Sequence, residues 1–182
     1  MILTTLLALL LALAATTTTA LPAAEVSSSD PLTNATTLTT RDDKHWACLN
    51  FSPAIDQSSG GSPKWGDCLQ LRANIASGGS WTFWSGRHTV IASYGSCVIG
   101  VETAKGTLAG TLTQIGNIDL IQIVESTEAM IIRQGGNRVA TDGNGKKWVK
   151  WDAKVGSKGT MECFQLALRS NRFAVNWGLY HT

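Results

Sequence analysis

Residues 88–101 read HTVIASYGSCVIGV, and the fold turns on how this stretch is parsed. Thr89 to Tyr94 is rich in β-branched and aromatic residues, which suit a pleated surface, and predicts a strand. Cys97 to Val101 begins a second strand of the same kind. Gly95 supplies the backbone freedom for a bend or bulge between them. Cys97 stands at the joint, where it can be a reactive thiol, a metal ligand or half of a disulfide. The rest of the chain decides which.

The chain opens MILTTLLALLLALAATTTTALPAAE. Leu6 to Ala15 is a Leu/Ala run too short to cross a bilayer, and small residues with threonines follow it. Residues 1–20 therefore read as a secretory signal peptide cleaved after Ala20, with Ala23 or Ala24 as alternatives. No later segment is apolar for long enough to span a membrane, so the protein is expected outside the cell. Residues 21–44 are rich in Ser, Thr, Ala and Pro, with almost no large apolar side chain. Such a segment cannot bury enough surface to offset its ordering entropy, which predicts a disordered leader or pro-segment. Arg41 is a weak processing signal there, and Asn34-Ala35-Thr36 is a glycosylation sequon in a segment expected to be exposed. Asn50-Phe51-Ser52 also matches, but Pro53 after it disfavours modification.

Residues 45–182 remain as one domain, long enough for a real core and without internal repeats. Every Lys and Arg, and every acidic residue except Glu25 and Asp30, lies beyond residue 40, so the folded part carries about +4. That mild excess points to no nucleic-acid partner. All four cysteines, Cys48, Cys68, Cys97 and Cys163, lie in this domain. An even count in a secreted chain implies two disulfides, with three possible connectivities. There is no C-x-x-C pair and no zinc-like spacing, so neither a metal nor another cofactor is expected. Cys97 is read as half of a disulfide.

Ser62-Pro63 predicts a helix start, with serine as N-cap and proline at the first helical position. In the following segment Trp65, Cys68, Leu69, Ile75 and Ala76 share one face, and Gly78-Gly79 ends it. A second helix runs from a cap at Asn117, with Asp119 in its first turn, to Gly135-Gly136. Its apolar face is Leu120, Ile121, Ile123, Val124, Met130 and Ile131. Residues 159–169 and 172–181 alternate as strands around a tight turn at Ser170-Asn171. Asn137 to Ala140 and Lys147 to Trp151 are shorter strands flanking the turn-rich Asp142-Gly143-Asn144-Gly145. The expected class is α+β, an antiparallel sheet with two helices packed on one face. In that arrangement the expected bonds are Cys48 to Cys68, across a short loop, and Cys97 to Cys163, early strand to late strand.

Candidate chemistry is sparse. His45, His88 and His181 are far apart in sequence, and no nucleophile-elbow motif accompanies His88. Glu125 and Glu128 could form a carboxylate pair, but their spacing suits the solvated side of the second helix. Asp142 opens like a calcium loop, yet Lys146, Lys147 and Ala153 stand at its fifth, sixth and twelfth positions, so a hairpin turn is expected. The stretch GKKWVKWDAKVGSK is more telling. Lys146, Lys147, Lys150, Lys154 and Lys158 crowd around Trp148 and Trp151, with only Asp152 opposing. Strand alternation would bury one tryptophan and expose the other, as a surface for lipid headgroups, a glycan or a protein. A solvated basic hairpin covering the sheet edge is the plainer alternative. Trp81 and Trp84 can line a sugar surface or pack where loop meets strand.

The ordered series SPKWGDCLQL, IASYGSCVIGVET, IGNIDLIQIV, GTMEC and VNWGLYH resembles the secreted fungal effector family of necrosis-inducing factors, of the extracellular-protein-two type. The likeness runs from Trp46 to His181; Val98-Ile99 stand where the family often carries an aromatic. The resemblance implies a cysteine-stapled extracellular virulence factor that provokes host cell death without known enzymatic activity. It also implies a fold relation to the smut-virus killer toxins, compact α/β sandwiches. A monomer acting on a host or competitor surface component, in the apoplast of a plant host, is the expected mode. A small secreted hydrolase or glycan-binding module is the alternative.

Overall fold

The computed structural model describes residues 45–105, 110–166 and 171–182. The expected signal peptide and leader, with Asn34 and Arg41, and Ser170 of the expected turn lie outside these residues. In chain order the elements are β1 (Cys48–Leu49), β2 (Ile55–Asp56), α1 (Trp65–Ile75), β3 (Ser80–Trp84), β4 (Thr89–Tyr94), β5 (Cys97–Thr103), β6 (Leu112–Gly116) and α2 (Asn117–Gln134). A 3-10 turn (Gly136–Arg138), β7 (Val139–Thr141), β8 (Lys147–Val149), β9 (Ser157–Phe164) and β10 (Arg172–His181) follow.

The decisive stretch is an antiparallel hairpin. Tyr94 pairs with Cys97, leaving Gly95-Ser96 as a two-residue loop in which Gly95 has φ +54°. Any Cβ there would also press within 2.7 Å of Asp67, whose carboxylate accepts bonds from the Ser96 amide and hydroxyl. The register slips between Val90 and Ala92, and Ile91 at that irregularity is buried. The hairpin forms one edge of an antiparallel sheet ordered β1-β9-β10-β5-β4, with β2 also pairing to β9. Two further pairs stand apart from it, β3 with β6 and β7 with β8, where a single sheet was expected.

Strand alternation divides the large sheet into a dry and a wet face. Ile99 and Val101 of β5, Val175, Trp177 and Leu179 of β10, and Met161 of β9 are buried against the helices, while Glu102, Thr160 and Asn176 are exposed on the other side. From α2 come Leu120, Ile123, Val124, Met130 and Ile131, all buried as their spacing predicts, with Ile121 half-buried. From α1 come Trp65, Cys68, Leu71 and Ile75; Leu69 is half-buried, and Ala76 is exposed at the helix end. Each fully buried large aliphatic of this set contributes about 1.5–3 kcal/mol.

Three expectations need correction. The first helix starts at Trp65, not at Ser62-Pro63. Pro63 and Lys64 are extended and pair with the chain at 153–155: the Val155 amide donates to the Pro63 carbonyl, and the Trp65 amide to Ala153. The free donors of the first turn, Trp65 and Gly66, thus meet the carbonyls of Ala153 and Trp151 and need no serine cap. Ser62 Oγ instead accepts the Ser59 amide at 2.8 Å.

The second helix is not capped by Asn117 either. Its N-cap is Gly116, whose amide donates to Asp119 Oδ2 at 2.8 Å. Asn117 Oδ1 accepts the His45 amide at 2.9 Å, and Asp119 Oδ2 also accepts that of Ala47. The helix end thereby holds the incoming chain. A Cβ on Gly116 would fall 2.0 Å from the His45 carbonyl oxygen.

The third correction is the disulfide pairing. The bonds are Cys48–Cys163 and Cys68–Cys97, not Cys48 to Cys68 and Cys97 to Cys163. The segment around Cys48 does not lie on the helix that follows; it forms β1 and pairs with β9, placing Cys48 directly opposite Cys163. Cys68 faces inward from α1 beneath the start of β5, where Cys97 stands.

Candidate functional site

Asp142 organises the ribbon of β7 and β8. Its Oδ1 accepts the amides of Asn144 and Lys146, and its own amide donates to the Lys146 carbonyl. This is the expected hairpin turn. The pairing continues beyond the strands, because the Lys150 amide donates to the Arg138 carbonyl. Val149 is buried, so its neighbours Trp148 and Lys150 face the other way, together with Ala140 and Arg138 across the ribbon.

Both tryptophans are exposed, Trp148 at 41% and Trp151 at 64%, where alternation predicted one of them in the core. The reason is that β8 ends at Val149 and Trp151 lies in the turn after it. There its indole covers Gly66 in the first turn of α1; a Cβ on Gly66 would fall within 2.2 Å of the ring. Lys146, Lys147, Lys150 and Lys158 are exposed, and Lys154 is half-buried.

Beside this surface opens a polar cleft of about 690 Å³, lined by Asp56, Ser58, Asn137, Arg138, Lys150, Asp152 and Lys154 among others. Arg138 donates to both carboxylate oxygens of Asp56, at 2.8 and 3.3 Å, and to Ser58 and Gln134. The Arg138 guanidinium holds the Asp56 carboxyl down at about 2, aided by Ser58 and opposed by burial. Sequence reasoning missed Asp56, Ser58, Asn137 and Arg138, because β2, the loop after it and the 3-10 turn meet only in the fold. Gly66, set in a helix's first turn beside Trp65, was the one local signal of a close approach.

The other candidates lie elsewhere. His88 Nε2 is 3.1 Å from Tyr180 Oη, and the two meet over Gly100, whose missing side chain leaves room for both. Burial pushes the Tyr180 phenol up. The His181 ring bonds to the Thr182 carbonyl oxygen, and no histidine ring is bonded to an Asp or Glu among the described residues. His45 borders a smaller hollow of about 270 Å³ with Trp46, Phe164 and Leu166. Burial pushes the Asp119 carboxyl up, against the backbone amides of Gly116, Ala47 and Cys48. Glu125 is exposed and paired with Arg72 at 2.6 Å, while Glu128 is half-exposed. Trp84 is exposed at the end of β3, whereas Phe83 is buried and Trp81 half-buried. No group of His, Cys, Asp and Glu able to hold a metal ion occurs among the described residues. No helix among them is long and apolar enough to cross a membrane.

Comparison with known proteins adds two findings. Residues 47–163 match the family described as "Pathogen effector; putative necrosis-inducing factor". Two proteins of Penicillium expansum are also similar. "Probable chitinase LysM18" is 32% identical over 126 residues, which is 69% of this chain and 7% of that protein. "Secreted chitinase LysM12" is 29% identical over 121 residues, 66% of this chain and again 7% of the relative. The chain thus spans only a small fraction of the length of either.

Proposed function

Since the chain belongs to the pathogen-effector family of necrosis-inducing factors, we propose that it is a secreted effector that acts by binding at a host or competitor cell surface. The observation that carries this reading is the exposed pair Trp148 and Trp151 in one stretch with the exposed Lys146, Lys147 and Lys150, beside a cleft of ligand size. Large indoles left in water at a rigid site lose hydration cost only when a partner covers them. The signal-peptide pattern of residues 1–20 and the two disulfides support action outside the cell.

Purified protein infiltrated into leaf tissue, and added in parallel to growing fungi, tests this reading. The native chain should cause cell death or growth arrest in one of the two assays. The double variant Trp148→Ala/Trp151→Ala should need at least about tenfold more protein for the same effect. Equal potency of the variant would remove the ribbon from the mechanism.

The relatives named as chitinases favour a second reading, a module that serves glycan chemistry within larger proteins. Release of soluble sugar from chitin by the purified chain would turn that reading towards a hydrolase.

A further inference from the structure

We infer that the ribbon surface binds a neutral, β-linked pyranose chain, with Trp148 and Trp151 as stacking platforms and the cleft residues as partners for its hydroxyls. This rests on the reading above that the ribbon is the acting surface, and it names the ligand class.

The geometry at Trp151 is the first ground. The Cε2, Nε1 and Cδ2 atoms of the ring all lie within 2.6 Å of where a Gly66 Cβ would stand, so one face of the indole is seated on the helix. The chain on either side of Trp151 is held as well: the Gly66 amide donates to the Trp151 carbonyl at 2.8 Å, and Trp65 to Ala153 at 2.9 Å. The ring is therefore fixed before any ligand arrives, with the rest of its surface open to water. A fixed aromatic plane loses little entropy on binding and suits the apolar C–H face of a pyranose. Trp148 lies on the face that also carries Arg138 and Lys150 of the cleft, so aromatic and polar groups share one surface.

The polar groups are the second ground. Asn137 and Asp152 have no hydrogen-bond partner among the described residues, and both line the cleft. The Asp56–Arg138 pair beside them fixes planar donors and acceptors in place. The planar Asn137 amide and Asp152 carboxylate can match neighbouring hydroxyls two at a time, whereas the terminal N–H donors of Arg138 are spent on Asp56, Ser58 and Gln134. The same groups argue against an anionic ligand. With Asp56 paired to Arg138, and Asp152 set against Lys150 and Lys154, the lining carries only one net positive charge, which is little to hold a polyanion. The cleft volume also falls within the roughly 300–1,000 Å³ of small-ligand sites.

The test is calorimetric titration of the native chain with hexamers of β-1,4-linked glucose and of β-1,4-linked N-acetylglucosamine, beside vesicles of anionic and of zwitterionic phospholipid. Binding of at least one hexamer is expected, nearly unchanged by added salt because the ligand is neutral. Trp148→Ala and Trp151→Ala should each weaken it about tenfold or more, and Trp84→Ala, also an exposed tryptophan, should not. Gly66→Ala keeps the indole but lifts it from its seat, and should weaken binding as Trp151→Ala does, with a shift in tryptophan fluorescence. Failure of both hexamers at millimolar concentration, salt-sensitive binding to anionic vesicles alone, or equal loss in Trp84→Ala would overturn the assignment. If the hexamers fail while Trp148→Ala/Trp151→Ala still loses activity on tissue or fungi, the acting surface stands and the ligand class falls.

Discussion

Replacing Cys48 and Cys163 together by alanine should cost more stability than replacing Cys68 and Cys97, by an amount that loop length sets. The first bond spans 115 residues of sequence and the second 29. In the chain-entropy treatment these closures correspond to about 4.8 and about 3.6 kcal/mol at 25 °C. All four cysteines are almost wholly buried, so each pair replacement also leaves comparable small voids. That term largely cancels in the difference, which is about 1.2 kcal/mol. The assay is urea unfolding of both pair variants against the native chain, extrapolated to water, with equal slopes required for the comparison. Single variants fix the partners: Cys48→Ala should free one thiol, and alkylation followed by peptide mapping should find it at Cys163. A tag on Cys68 would restore the pairing of near neighbours in sequence. Equal or reversed costs for the two pair variants would refute the loop-length reasoning.

Asp56 has its folded pKa lowered from 3.8 to about 2, so the stability it contributes is present above 3.8 and lost as pH falls towards 2. With the side chain about one-quarter exposed, solvent screening leaves roughly 1–2 kcal/mol; urea unfolding between pH 5 and 2 should show that loss in the native chain and not in Asp56→Asn. Asp119 is the opposite case. Its folded pKa is raised, so its contribution is complete below the unfolded pKa and declines as pH rises through the folded value; Asp119→Asn should flatten that slope in the same assay. Gly100→Ala would set a Cβ 2.3 Å from Tyr180 Oη and should cost about 1–3 kcal/mol, with loss of the His88–Tyr180 bond visible in the His88 ring resonances.

The strands of the opening stretch, the last two strands and the apolar face of α2 were legible because each depends on local periodicity. Thr89–Tyr94 and Arg172–His181 are β-branched or alternating, and Leu120 to Ile131 repeats at helical spacing over several turns. The start of the second helix was legible to within one residue, since it begins at Asn117 after its cap Gly116; the caps were not, because amides at both helix starts are satisfied from a distance. Trp65 and Gly66 donate to the carbonyls of Ala153 and Trp151, far later in the chain, and Asn117 and Ile118 donate to those of Gly79 and His45. The cysteine pairing failed for a related reason: short loops in sequence suggested Cys48 to Cys68, but β1 is held by β9, a strand from the far end of the chain.

The same distant hydrogen bonds explain why the ribbon was only half readable. Its composition, lysines around two tryptophans, is plain in residues 145–158. Its geometry depends on where β8 stops, and it stops because residues 151–155 leave the ribbon to satisfy the start of α1. Trp151 is carried with them onto Gly66, a position that no alternation rule for Lys147–Trp151 can foresee. Starting the helix and fixing the exposed indole are thus one structural event. A site built this way is as rigid as the core behind it, since Trp65, the next residue, is fully buried. Opening the ribbon far enough to bury Trp151 would strip the first turn of α1 of its acceptors, at about 1–3 kcal/mol for each unpaired donor. The exposed tryptophan is held out in water by backbone bonds that the fold cannot give up.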